Sequence, residues 1–184
     1  EPTSGSVLMD GFDINQLDPA DLRHNVAYVA QDAKLYFGTL RDNITFGLNG
    51  ITDQQVVDAA EQAGILELVN SHPLGFEMPV GERGETLSGG QRSAIAMARV
   101  FLRKPRVLVM DEPTSAMDQG TEERLTQQIK TRFSDSTLLI ITHKMSMLTL
   151  VDRLIVVDRG VIISDGPKSE VLAALKEGKI RGKS

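Results

Sequence analysis

The chain has 184 residues, a length that fits one or two compact units at about 100–200 residues per domain. A formal net charge of −5 with only 4% aromatic residues argues against nucleic-acid binding, and the lack of cysteine excludes disulfides and thiolate chemistry. The longest apolar runs are far shorter than the roughly 18–20 residues that cross a bilayer, so no transmembrane helix is predicted in these residues.

The chain begins with signals for short strands. The segment SVLMDGFDI (residues 6–14) predicts a hairpin that turns at Asp10-Gly11. NVAYVAQ (residues 25–31) predicts a strand that carries Val26, Tyr28 and Ala30 on one face.

The character of the sequence then changes to helical. Thr52 and Gln55 form a capping box that predicts a helix start. An apolar stripe at helical spacing follows, is broken at Gly64 and resumes further on; its members are Val56, Val57, Ala60, Ala63, Leu66 and Val69. We therefore interpret the stretch from about residue 39 to residue 102 as a helical insertion between strands.

Ser88-Gly89-Gly90 directly precedes a further predicted helix, which ends before Pro105. The first N–H groups of a helix have no intrahelical partner and attract anions. Because the two glycines have no side chain, a ligand can come close to that helix end. The Ser88 hydroxyl can either donate to a phosphate or cap the helix. For these three residues alone, a plain serine cap is the favoured interpretation.

Val107 to Met110 form a continuous apolar run, which predicts a parallel strand buried on both faces. The run ends in Asp111-Glu112, where open α/β sheets place ligands. One carboxylate can serve Mg²⁺ while the other orients or deprotonates a water. The alternative is a solvated or capping pair. A second buried strand in STLLIITHK (residues 136–144), ending in His143, weakens that alternative.

The last third returns to alternating elements. Thr121 is predicted to open a helix with a buried stripe at Leu125, Ile129 and Phe133. A late hairpin is predicted to turn at residues 158–160, and a short closing helix to span residues 169–176.

These motifs together, in this order, resemble the nucleotide-binding domain of ATP-binding cassette (ABC) proteins. The resemblance rests on LSGGQ (87–91), DEPTSAMD (111–118) and a strand ending in Thr-His (142–143). VAYVAQD (26–32) resembles the strand before the family's Q-loop, and VDRLIVVDRGVIISDG (151–166) its late hairpin. The resemblance covers residues 1–184. It implies a P-loop NTPase-like α/β core formed by residues 1–38 and 103–184, with a helical subdomain at residues 39–102.

The family's site residues can be transferred to matching positions. The resemblance implies that Glu112 is the general base, that Asp111 holds Mg²⁺ through water, and that Gln31 senses the metal and the γ-phosphate of ATP. It implies that His143 contacts the γ-phosphate. The signature residues Ser88, Gly89, Gly90 and Gln91 would grip the nucleotide of a second domain in a head-to-tail dimer, whose two sites Asp118 would link.

A P-loop of the form G-x-x-x-x-G-K-[ST] is not found in this sequence. The first residues resemble the segment that comes after the P-loop helix in the family. We therefore expect that the N-terminal part of the domain is missing, and that the chain alone binds ATP weakly and is inactive.

Two segments beside these motifs resemble ABC exporters, LYFGTLRDNITFG (35–47) and VGERGETLSGGQ (80–91). The resemblance implies a transmembrane domain as partner and, for the piece itself, a soluble domain at the cytoplasmic face of the bacterial inner membrane. QDAKLYFGTLRDNI (31–44) and DGPKSEVLAALKEGKIR (165–181) look most like type I secretion ATPases, which work with a periplasmic adaptor and an outer-membrane channel. Multidrug or lipid export, a soluble ABC ATPase, and a non-catalytic interaction module are the alternatives.

Overall fold

A computed structural model describes residues 2–179. Sequence interpretations that extend to residue 1 or to residues 180–184, including the end of the tail segment compared with secretion ATPases, lie outside the described residues. The chain divides after Thr142 into two compact units. The first unit contains β1 (Leu8–Met9), β2 (Phe12–Asp13), α1 (Pro19–Asn25), β3 (Val26–Val29), α2 (Leu40–Thr45), α3 (Asp53–Gln62), α4 (Leu66–Ser71), α5 (Gly89–Arg103), β4 (Val107–Asp111), α6 (Gln119–Arg132) and β5 (Thr137–Ile141).

The first unit is built on a three-stranded parallel sheet in the order β3-β4-β5. Val29 pairs with Met110, and Met110 pairs with Ile140, so the three strands end at the same edge of the sheet. The predicted mixed α/β fold with a parallel sheet is confirmed. The polar residues that follow each strand are thereby collected at one edge.

The prediction that β4 is buried on both faces is wrong. Leu108 and Met110 are fully buried, but Val107 and Val109 on the other face are only half-buried. On the neighbouring strands, Tyr28 is 62% exposed and Leu139 is 52% exposed. A continuous apolar run cannot reveal this difference, because it contains apolar residues on both faces whether or not both are covered.

Helices dominate residues 40–103, where α5 packs against both α2 and α3. Thr39 and Thr52 each close a capping box, which fixes the starts of α2 and α3. Ile44, Val56 and Ile95 are fully buried in this part of the unit. The helix predicted from the Thr52 capping box is confirmed, while the boundaries of a separate subdomain at residues 39 and 102 stay a prediction.

The remaining predicted helix and hairpins are confirmed with small shifts. The helix predicted to open at Thr121 begins two residues earlier, because Asp118 is its N-cap. Asp10 and Gly11 turn the β1-β2 hairpin with φ values of 51° and 84°, the left-handed geometry that such turns require.

The second unit contains a 3₁₀ helix (Met145–Leu150), β6 (Arg153–Asp158), β7 (Val161–Pro167) and α7 (Lys168–Lys176). β6 and β7 form the predicted antiparallel hairpin, turned by Arg159 and Gly160. Arg153 on β6 reaches diagonally across the hairpin to Asp165 on β7 and forms two hydrogen bonds with N···O distances of 2.7 Å. This pair raises the pKa of Arg153 and lowers the pKa of Asp165.

Candidate functional site

The carboxyl edge of the sheet carries three of the predicted site residues. Asp111 is the last residue of β4, and Glu112 follows it directly. Gln31 is exposed and lies two residues beyond β3, the strand that pairs with β4. The phenol of Tyr28 on β3 donates to Asp111 Oδ2 over 3.5 Å. The edge thus offers carboxylate and amide oxygens from adjacent strand ends.

Glu112 is held in an unusual backbone conformation. Its φ is 45°, in the left-handed region that side chains other than glycine rarely adopt, at a cost of about 1–3 kcal/mol. The Glu112 N–H donates to the Ile141 carbonyl at 2.9 Å, and its own carbonyl accepts from the Ser115 N–H at 3.1 Å. The Thr142 hydroxyl lies 3.2 Å from Glu112 Oε2. The backbone and the carboxylate of Glu112 are therefore both fixed by hydrogen bonds.

Ser88 caps α5, as the plain interpretation of Ser-Gly-Gly requires. Its Oγ accepts from the Gln91 N–H at 3.2 Å, and Gln91 Oε1 accepts from the Ser88 N–H at 2.8 Å. Because a hydroxyl that accepts can also donate, the O–H of Ser88 stays available to an anion. Ser88 itself is exposed. Capping and anion contact are thus compatible at this residue.

The glycines after Ser88 are explained by packing as well as by ligand approach. A Cβ at Gly90 would lie 2.8 Å from the backbone oxygen of Ala116, and one at Gly89 would lie 3.0 Å from the Ala116 Cβ. Real Cβ atoms essentially never approach as closely as 2.8 Å, so Gly90 cannot carry a side chain without a shift of the Ala116 backbone, and a Cβ at Gly89 would need Ala116 to move by a few tenths of an ångström. The signature sequence and the segment after Glu112 are therefore in direct contact.

An open cleft of about 440 Å³ lies where the starts of α5 and α6 converge. Its lining includes Ser88, Gly90, Gln91, Met117, Asp118 and Thr121. Asp118 accepts from the Thr121 hydroxyl at 2.7 Å and from the Thr121 N–H at 3.0 Å, and these bonds lower the pKa of Asp118. Asp118 therefore stabilises the start of α6 as its N-cap. This contribution is separate from the link between two nucleotide sites that the resemblance implies for Asp118.

His143 is exposed and begins the second unit, directly after the Thr142 that contacts Glu112. The predicted buried strand at residues 136–144 is present as β5, but it ends at Ile141, two residues before His143, and none of its residues is buried. The structure describes the two units separately, so the predicted role of His143 stays a prediction.

The donor set at the sheet edge fits Mg²⁺. Within residues 2–179, no cluster of three or more His, Cys, Asp or Glu could hold a metal. Mg²⁺ usually keeps several waters and binds through one or two carboxylates plus substrate phosphates. The Asp111 carboxylate, at the end of the strand next to the one that precedes Gln31, matches that pattern.

The sequence did not indicate that Thr142 and Tyr28 contact the site carboxylates, nor that Asn43 on α2 is buried. Asn43 is 1% exposed, and its side chain bonds the Tyr36 backbone and accepts from Arg99 Nη2 at 2.8 Å. The Arg99 guanidinium also lies over the Tyr36 ring, 5.5 Å from its centroid. Burial lowers the pKa of Arg99. These contacts tie α5 to the segment that follows Gln31.

A parallel sheet with carboxylates at the carboxyl end of one strand is the arrangement in which open α/β proteins place their ligands. The sequence profile described as ABC transporter matches residues 1–115. The chain belongs to the ABC transporter family, and its fold is that of the family's ATPase domain.

Several known proteins resemble this chain. It is 43% identical over 169 residues to a multidrug efflux ATP-binding/permease protein of Mycobacterium bovis, covering 92% of this chain and 14% of that protein. It is 38% identical over 172 residues to ABC transporter B family member 1 of Dictyostelium discoideum, covering 94% of this chain and 19% of that protein. A solved structure of a bacterial Atm1-family ABC exporter with ATP bound superposes with a TM-score of 0.89 at 33% identity, covering 94% of this chain and 30% of that one. The chain thus spans less than a third of the length of these relatives.

Within residues 2–179, no helix has the length and apolar character to cross a membrane.

Proposed function

We propose that this chain is the ATP-hydrolysing part of an ABC exporter. The observation that carries the proposal is the Asp111-Glu112 pair at the end of the central parallel strand, with the Glu112 carboxylate held by a hydrogen bond from Thr142. Exporter relatives at 33–43% identity support the same conclusion.

In the proposed reaction, water attacks the γ-phosphorus of ATP while Glu112 accepts a proton from that water. The bond to the ADP oxygen breaks, and the products are ADP and inorganic phosphate. Phosphoryl transfer depends mainly on positioning and charge stabilisation, which suits a base with a fixed carboxylate. Asp111 and Gln31 would hold Mg²⁺, which neutralises negative charge on the phosphate oxygens when bound. His143 would contact the γ-phosphate.

We further propose that a second nucleotide-binding domain completes the site. In a head-to-tail dimer, the start of α5 would face the nucleotide of the partner through the signature residues Ser88, Gly89, Gly90 and Gln91. The N–H groups at this helix end favour an anion, and Ser88 is exposed toward solvent. Asp118 lines the same cleft as Ser88, which supports its proposed role between the two sites of the dimer.

The proposed architecture keeps residues 39–102 as a helical subdomain beside an α/β core of residues 1–38 and 103–184. A transmembrane domain would be the second partner, at the cytoplasmic face of a membrane. Because no G-x-x-x-x-G-K-[ST] motif occurs in these 184 residues, the chain alone would hold ATP weakly and turn it over poorly.

For the cargo, we propose small-molecule export rather than type I protein secretion. The Mycobacterium relative is named for multidrug efflux, whereas neither the Dictyostelium protein nor the Atm1-family exporter is named for protein secretion. A periplasmic adaptor and an outer-membrane channel are therefore not part of the proposal.

The test is Glu112→Gln in the full-length protein that carries this chain. The change keeps the size and one oxygen of the side chain but removes the base. We expect ATP binding to stay within about twofold of wild type and turnover to fall at least about a hundredfold, the lower range of general-base effects. Unchanged turnover would remove Glu112 from its role.

A further inference from the structure

The end of β5 contacts Glu112 at two points. The Ile141 carbonyl accepts the Glu112 N–H at 2.9 Å, and the hydroxyl of the next residue, Thr142, reaches Glu112 Oε2 at 3.2 Å. Ile141 also pairs with Asp111 in the sheet. The backbone and the side chain of Glu112 are thus hydrogen-bonded to two consecutive residues at the end of this strand.

The direction of the Thr142 hydrogen bond follows from chemistry. An ionised carboxylate only accepts, so the hydroxyl must be the donor. A charge-assisted bond of this kind is stronger than a neutral one and favours a single orientation of the carboxylate. The hydrogen bond from Thr142 therefore favours the orientation that the Glu112 carboxylate has in this structure.

The left-handed backbone of Glu112 adds to the importance of this second hydrogen bond. At φ 45° the residue lies outside the common conformations, so the direction of its Cα–Cβ bond depends on the hydrogen bonds around it. The Ile141 bond fixes the backbone but does not act on the three side-chain torsions. A bond at the far end of the side chain removes much of their freedom.

We propose that Thr142 is a positioning residue for ATP hydrolysis, which holds the Glu112 carboxylate toward the attacking water through its hydroxyl. This inference rests on the proposed function, because it takes Glu112 as the base. Thr142 touches neither substrate nor reacting atoms in this role. Its loss weakens the alignment of the base without removing it.

The experiment compares Thr142→Val, which replaces the hydroxyl by a methyl group of similar shape, with Thr142→Ser, which keeps the hydroxyl. Both are made in the full-length protein that carries this chain. Since a general base contributes about 10²–10⁴-fold, we expect Thr142→Val to lower kcat about tenfold and to change KM for ATP less than about twofold. Thr142→Ser should restore kcat to within about twofold of wild type.

A double-mutant cycle separates positioning from a general structural effect. In the Glu112→Gln background, Thr142→Val should cause no further loss of the residual turnover, because the base it serves is gone. A further tenfold loss in that background would overturn the inference. The inference would also be overturned if Glu112→Gln is inactive but Thr142→Val alone has the kcat of the wild type. Wild-type turnover in Glu112→Gln itself would overturn the proposed function and, with it, the role of Thr142. The urea midpoints of the variants show whether each is folded.

Discussion

Asn43 provides a stringent test of how the segment after Gln31 is joined to α5. The side chain is 1% exposed and makes four hydrogen bonds. Its amide nitrogen donates to the Tyr36 carbonyl at 2.9 Å and to the Thr39 carbonyl at 3.0 Å, and its oxygen accepts from the Tyr36 N–H and from Arg99, both at 2.8 Å. Asn43→Ala removes all four bonds at once.

The expected loss of stability follows from these bonds. Each neutral hydrogen bond contributes about 0.5–1.5 kcal/mol net, and a bond from a charged donor about 1.5–3 kcal/mol. Because the bonds to the Tyr36 backbone are only partly buried, water can replace part of what this backbone loses. We therefore expect Asn43→Ala to lower the free energy of unfolding by about 2–4 kcal/mol, more than the roughly 1 kcal/mol of an average substitution.

The assay is urea unfolding of the 184-residue chain, comparing midpoints at unchanged m value. Asn49→Ala is the matched control, since Asn49 is an exposed loop residue and its replacement should change stability by less than about 0.5 kcal/mol. If Asn43→Ala behaves like Asn49→Ala, the hydrogen bonds of Asn43 do not stabilise this region and the prediction is wrong.

Two further predictions concern the site itself. Gly90→Ala should destabilise the chain by about 1–3 kcal/mol, because the new Cβ meets the Ala116 oxygen at 2.8 Å, whereas Gly120→Ala, at the same position of α6, should gain up to about 1 kcal/mol of helix stability. Equal urea midpoints for the two variants would contradict the packing argument. In a calorimetric titration of the 184-residue chain with ATP we expect weaker than micromolar binding, because the sequence contains no P-loop; micromolar affinity would contradict this.

Local patterns in the sequence predicted the elements that rest on local interactions. The helix after Ser88, the turn at Asp10-Gly11 and the capping box at Thr52 all depend on residues within one helical turn or one tight turn of each other. The parallel sheet followed from apolar runs that are separated by helices. The helix starts and the turn need no knowledge of distant parts of the chain, whereas the sheet pairs Val26 with Val107 and so depends on long-range contacts as well.

The contacts that shape the site are long-range and were not predictable in this way. Thr142 and Glu112 are 30 residues apart in sequence, and Arg99 and Asn43 are 56 apart. No periodicity relates such pairs, so their contact is visible only after folding. The exposed face of the sheet was missed for a related reason, since a run of apolar residues does not say which of them other elements cover.

The two interpretations of Ser-Gly-Gly, a plain helix cap or a phosphate site, are not exclusive in the folded chain. The capping box uses the N–H of Gln91, and the first backbone bond of the helix uses the N–H of Arg92. The N–H groups of Gly89 and Gly90 take no part in either bond. A helix start that is firmly capped presents those two groups in a fixed direction, which reduces the entropy lost when an anion binds. The cap therefore favours the proposed contact with a nucleotide rather than competing with it.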